Sequence, residues 1–326
     1  MHILATTPID PIFHQELTSL CPIVTAESDD PETLKGHMPG AICMISRGLG
    51  WVGAEVMDAG DDLRIITRTG AGYENLDIAA ATQRGIPILF APLLGPAVAE
   101  ATIAMMLFLT KRLNYWHNAL LTGQWDKRIS ERPDEFLQKV YGIVGLGRIG
   151  RDVAKRAAAF DVKLIAYDPF VSPETATEAG VELVDLEKLL ATSDFISLHA
   201  LVTPETRGLI NRSNIGKIKQ SAYLVNFARG ALIDGLDILY EALEEGRLAG
   251  VGLDVFPEEP PTNLDHPLFH HPNFLGTPHV LASTSGTEAR CSHSVCRDVR
   301  SVLAGKRPQW CVNPEVFEAQ NYRGQG

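Results

Sequence analysis

The chain has no apolar run of the ~18–20 residues that a membrane-spanning helix needs. Its longest, Ala97 to Thr110, is interrupted by Glu100 and reads as a buried helix. The N-terminus, Met1-His2-Ile3-Leu4-Ala5-Thr6, lacks a basic n-region and leads straight into a strand candidate, so no signal peptide is expected. Five cysteines show no C-x-x-C spacing, and an odd count without a framework argues for reduced thiols in a cytoplasm. Cys291, His293 and Cys296 lie close together, but on a helix their offsets do not converge on one face, so no metal site is expected. There is no internal repeat, no low-complexity stretch and no basic patch. A net charge of −11 disfavours nucleic acid or an anionic membrane as a partner. It does not exclude a small anionic substrate, because a few arginines in a cleft make a local positive field.

What is present is a 326-residue chain, 45% hydrophobic and 21% charged, which suits two domains with real cores. In the first third, β-rich runs (His2 to Thr6, Ile23 to Thr25, Ala41 to Ser46, Leu63 to Thr67, Pro87 to Phe90) alternate with helical patterns. That alternation predicts an α/β fold with a parallel sheet covered on both faces. Ala97 to Leu113 reads as one long linking helix, and Ser285 to Leu303 as a final helix returning to the first domain. The second domain is then inserted into the first.

The most informative segment is Tyr141-Gly142-Ile143-Val144-Gly145-Leu146-Gly147-Arg148-Ile149-Gly150, followed by Ile165-Ala166-Tyr167-Asp168. A β-rich run, a G-x-G-x-x-G turn, a helical pattern (Val153, Ala154, Ala157, Ala158, Phe160) and an acid closing a second β-rich run make a dinucleotide-binding unit. Gly145 permits the turn, Gly147 lets a pyrophosphate approach the main chain, and Gly150 lets the helix pack on the sheet. Arg148 and Ile149 supply the N–H groups nearest the phosphates. Asp168 is expected to receive the adenosine ribose hydroxyls and to repel a 2′-phosphate, which favours NAD over NADP.

Later β-rich runs end in polar or glycine-bearing loops at His199, Ala228-Arg229-Gly230 and Asp254. In a doubly wound sheet such loops face the cofactor cleft. His199 is expected to be a packed, hydrogen-bonded histidine rather than a catalyst. Hydride transfer from an alcohol carbon needs a proton acceptor, an acid beside it and a cation for a substrate carboxylate. The segments around Arg229, Glu259 and His279 meet that need.

With these motifs the chain resembles the D-isomer-specific 2-hydroxyacid dehydrogenase family. The resemblance runs through Thr69-Gly70-Ala71-Gly72-Tyr73-Glu74-Asn75-Leu76-Asp77, Ala97-Val98-Ala99-Glu100, the glycine turn, residues 203–211 and the Arg229, Glu259 and His279 segments. It implies a Rossmann doubly wound NAD-binding domain, residues 98–286, inserted in a smaller flavodoxin-like α/β substrate domain, residues 1–97 and 287–326. It also implies an oxidoreductase moving a hydride between NAD(H) and C2 of a small D-2-hydroxy acid or 2-oxo acid. His279 would be the acid and base, Glu259 its partner, and Arg229 the clamp on the substrate carboxylate. Asp254 would contact the nicotinamide carboxamide, and Phe227 and Ala228 would line the cofactor. Ala71 and Gly72 would give N–H groups to the substrate carboxylate. Apart from the resemblance, Arg47 follows an apolar strand and is read as a cleft-facing contact for a second anionic group on the substrate. A homodimer through an arm at residues 111–132 is implied, with no regulatory domain after Asn313-Pro314. The chain departs from the family pattern at Phe90 and at Leu201, and the first leaves the substrate open. The alternative class is an NAD(H)-sensing, co-repressor-like binding protein without turnover.

Overall fold

The computed structural model describes residues 1–47, 50–70 and 72–324. The chain divides into two compact units, Met1–Leu94 with Ser283–Gly326, and Gly95–Ala282.

The first unit carries β1 (His2–Ala5), β2 (Ile23–Thr25), β3 (Ala41–Ser46), β4 (Ile65–Arg68) and β5 (Ile88–Leu89). They pair in parallel in the order β2-β1-β3-β4-β5. This is the flavodoxin-like order. All of β3 is buried, which explains its unalternating apolar sequence: helices cover both faces of a parallel sheet. Helices Pro11–Leu17 and Pro31–His37 start on an aspartate N-cap followed by proline. Asp10 accepts from Ile12 N–H and Asp30 from Thr33 N–H, so orphan donors of the first turn are satisfied. The helix Ser285–Leu303 puts Cys291, Val295, Val299 and Val302 into the core with Ile3, Ile45 and Ile65.

The second unit carries β6 (Val140–Val144), β7 (Lys163–Tyr167), β8 (Glu182–Leu183), β9 (Phe195–Leu198), β10 (Ala222–Asn226), β11 (Leu248–Leu253) and β12 (Phe274–Gly276). The order is β12-β11-β10-β9-β6-β7-β8, all parallel. Counted from β6, this is the Rossmann order with one added edge strand, and the direction reverses between β6 and β9. The linking helix runs Gly95–Thr110 and stops earlier than its apolar pattern suggests, because Arg112 is left-handed at φ 50° and a separate helix, Leu113–Leu121, begins. Among the described residues no helix is long and apolar enough to cross a membrane.

Candidate active site

The glycine turn leaves β6 at Val144. Gly145 has φ +91°, and a Cβ there would lie 2.7 Å from the Ala200 nitrogen. A Cβ on Gly150 would lie 2.1 Å from the Gly145 oxygen. Backbone therefore fills the space beside these two. Gly147 is different: a Cβ there would meet nothing within 4 Å among the described residues. It is the N-cap of the helix Arg148–Ala157, and among the described residues no side chain caps that end. The turn is thus packed on one side and open where a pyrophosphate would approach, and the helix dipole favours an anion there. Asp168, just past β7, braces the turn. Its Oδ2 accepts the Leu146 N–H at 2.8 Å, and its Oδ1 accepts the N–H groups of Phe170 at 2.9 Å and Val171 at 3.2 Å.

The three catalytic candidates leave adjacent strands. Leu253 of β11 is in register with Asn226 of β10 and with Gly276 of β12. The ladder runs one step further at each side: Asp254 N–H donates to Asn226 O at 3.1 Å, and Thr277 N–H to Leu253 O at 2.9 Å. Their loops therefore start level with one another. Buried Asn226 shapes the first loop, its Nδ2 donating to Arg229 O at 2.9 Å and its Oδ1 accepting the Ala228 N–H at 3.0 Å. Arg229 Nη1 donates to Ala228 O at 2.8 Å. Gly230 then lies hard against the second loop, where a Cβ would fall 1.9 Å from the Phe256 carbonyl carbon. Phe256 N–H donates to Glu259 Oε1 at 3.0 Å, and Glu259 Oε2 pairs with His279 Nδ1 at 2.7 Å. The His279 side chain is 48% exposed and that of Glu259 34%. A carboxylate holding Nδ1 fixes the ring and leaves Nε2 as the nitrogen to exchange a proton with a substrate. Asp254 is 3% exposed, and its Oδ1 accepts both Thr277 Oγ1–H at 2.6 Å and Val280 N–H at 3.1 Å.

Among the remaining candidates, Ala71 lies outside the described residues. The Gly72 carbonyl accepts from Arg68 Nε at 2.8 Å. Arg47 directs one guanidinium nitrogen at Pro8 O and pairs the other with Glu288, in the first turn of the last helix of its unit. Phe90 is one ring of an edge-packed group, 5.8 Å from Tyr73 and 6.3 Å from Trp310 between centroids. The His293 ring pairs with Glu16, while Cys291 and Cys296 are buried in the core.

His199 corrects one expectation. Both ring nitrogens are sealed from solvent, but neither has a hydrogen-bond partner among the described residues. Burial pulls its pKa down from 6.5 to about 3. The folded chain keeps this imidazole neutral while the unfolded chain protonates it, so acid favours unfolding through that window. His199→Gln is expected to flatten the acid limb of stability by up to ~1.4 kcal/mol per pH unit below about 6.5. Urea unfolding at several pH values, variant against parent, reads this directly.

The model of the D-isomer specific 2-hydroxyacid dehydrogenase NAD binding domain matches residues 103–280, which span the glycine turn and all three candidate loops. The chain belongs to this family. Residues 103–280 are therefore a 2-hydroxyacid dehydrogenase NAD-binding domain. The chain is 38% identical to the D-3-phosphoglycerate dehydrogenase of Methanocaldococcus jannaschii over 95% of its own length and 59% of that protein's. It thus spans little more than half of that relative. It is 40% identical to the hydroxypyruvate reductase of Thermotoga maritima over 82% of this chain and 86% of that one. The D-lactate dehydrogenase of Aquifex aeolicus, solved in complex with NAD and lactic acid, superposes with a TM-score of 0.82 at 27% identity, covering 93% of this chain and 96% of that one. Three residues of this candidate site escape a reading of single positions: Asn226, Gly230 and Thr277. All lie beside Arg229 or His279 in sequence, but what they do depends on the neighbouring strand.

Proposed function

We propose that the chain is an NAD-dependent oxidoreductase of small D-2-hydroxy acids and 2-oxo acids, with His279 as acid and base. The observation carrying this reading is the single chain of contacts from Arg229 through Gly230 and Phe256 to Glu259 and His279. NAD, when bound, supplies the hydride acceptor or donor. Gly145, Gly147 and Gly150 with the N–H groups of Arg148 and Ile149 would hold its pyrophosphate. Asp168 would receive ribose hydroxyls, Phe227 and Ala228 would line the cofactor through main chain, and Asp254, whose Oδ1 is held by Thr277 and Val280, would meet the carboxamide.

In reduction, protonated His279 gives its Nε2 proton to the carbonyl oxygen of the 2-oxo acid. Glu259 stabilises the imidazolium and holds Nδ1 protonated. The Arg229 fork anchors the substrate carboxylate and polarises the carbonyl. In oxidation the same nitrogen takes the hydroxyl proton. In the other unit, the main chain at Ala71 and Gly72 is assigned to an anion, and Arg47 serves a second anionic group only by exchanging its Glu288 partner. D-3-phosphoglycerate, hydroxypyruvate and glyoxylate are the substrates to compare. A panel of 2-oxo acids with NADH and with NADPH tests the whole reading. Turnover of at least one supports it, and binding of NADH without turnover of any favours the sensing alternative.

Asp168→Ala is expected to erode the preference for NADH over NADPH at least tenfold, or ~1.4 kcal/mol, by removing a charge that faces the 2′-position. The ratio of kcat/KM for the two cofactors measures it. For the assembly, Leu113, Leu120 and Leu121 of the helix Leu113–Leu121, Trp125 after it and Ile129 in the short helix Lys127–Ser130 are all exposed. We assign this exposed segment to a homodimer, and sedimentation velocity tests it.

A further inference from the structure

His279 is the only member of the catalytic set with a left-handed backbone, at φ 51°. A side chain other than glycine pays for that region with strain on the order of 1 kcal/mol, and the strain persists only where surroundings over-determine it. Three contacts do so. His279 N–H donates to Thr277 O at 2.9 Å, closing a tight turn around Pro278. Asp254 Oδ1 then holds the chain on both flanks of the histidine, through Thr277 Oγ1–H at 2.6 Å before it and Val280 N–H at 3.1 Å after it. Asp254 is itself fixed, buried at 3% exposure with its N–H on Asn226 O. Hydrogen bonds to a buried carboxylate are the strong kind.

We infer that Thr277, through Asp254, is a positioning residue for the catalytic histidine. The inference rests on the acid–base assignment above. Glu259 sets the direction of the ring, and the Thr277–Asp254 latch sets the backbone from which the ring projects. Without the latch, residue 279 relaxes toward ordinary negative φ and Nε2 leaves its place. Thr277 is not among the residues assigned to the cofactor, which separates it from Asp254.

The test compares Thr277→Val, which keeps the shape and removes the hydroxyl, with Thr277→Ser, which keeps the hydroxyl. Thr277→Val is expected to lower kcat about 10–100-fold, the scale of a misplacement near 1 Å. NADH affinity by fluorescence titration and the melting temperature are expected to stay within about twofold and a few degrees of the parent. Thr277→Ser is expected to recover most of kcat. Thr277→Ala covers the case in which the valine branch does not fit. Full kcat in Thr277→Val overturns the latch, as does failure of serine to rescue, or a loss of NADH affinity that accounts for the loss of rate. His279→Ala is measured alongside. If it keeps its turnover, the acid–base reading itself falls; if it is inactive while Thr277→Val is fully active, only the latch does.

Discussion

His279→Ala is expected to lose about 10²–10⁴-fold in kcat, the usual contribution of a positioned acid–base group. On the proposed acid–base reading, the Glu259 pairing on Nδ1 makes the effect specific to proton transfer at Nε2. Glycine turn and Asp168 lie on other strands, so NADH binding by fluorescence titration is expected to survive the change. The loss belongs in kcat and kcat/KM together, the pattern of an interaction made chiefly in the transition state. A variant that binds NADH normally and turns over at near-parent rate removes His279 from the mechanism.

Gly230→Ala is expected to have the second largest effect, although residue 230 has no chemistry of its own. The added methyl would sit 1.9 Å from the Phe256 carbonyl carbon and 2.1 Å from its oxygen. Both are backbone atoms, so no rotamer change makes room. The Arg229 loop must lift away from the loop that carries Glu259. Overpacking of this kind costs ~1–3 kcal/mol of stability, and separating the guanidinium from the acid–base pair by about 1 Å costs roughly 10²-fold in kcat/KM. Urea unfolding and steady-state kinetics on the folded variant separate the two effects. Parent-like kcat/KM in a stably folded Gly230→Ala would show that the two loops are not tied together.

Both positions sit in segments that the sequence displays openly, and the reason is physical. A G-x-G-x-x-G turn after an apolar run is forced by backbone approach, so Gly145 and Gly150 advertise a geometry as well as a composition. The parallel sheets were legible because alternating β-rich and helical stretches leave few other arrangements. β8 and β12 were not, since two or three residues at a sheet edge carry no periodicity. The break at Arg112 was hidden for a related reason: no glycine or proline marks it, and the apolar pattern runs on through Leu113. The Thr277–Asp254 bond spans 23 residues and exists only because β11 and β12 are neighbours in register. The place of His199 at the end of β9 is visible in sequence, whereas the absence of a partner for its ring among the described residues depends on what surrounds it.

Redesigning nucleotide preference in this chain is harder than a charge swap. The carboxylate expected to read the ribose is also a structural brace, taking three main-chain N–H groups, one of them from Leu146 inside the glycine turn. Leu146 is fully buried, so deleting the acceptor strands a donor at a cost of ~1–3 kcal/mol. Asparagine or serine at position 168 keeps an oxygen for that donor while discarding the negative charge. A scaffold meant to accept NADPH should therefore begin from one of those two, with the cation for the extra phosphate brought in from a neighbouring loop.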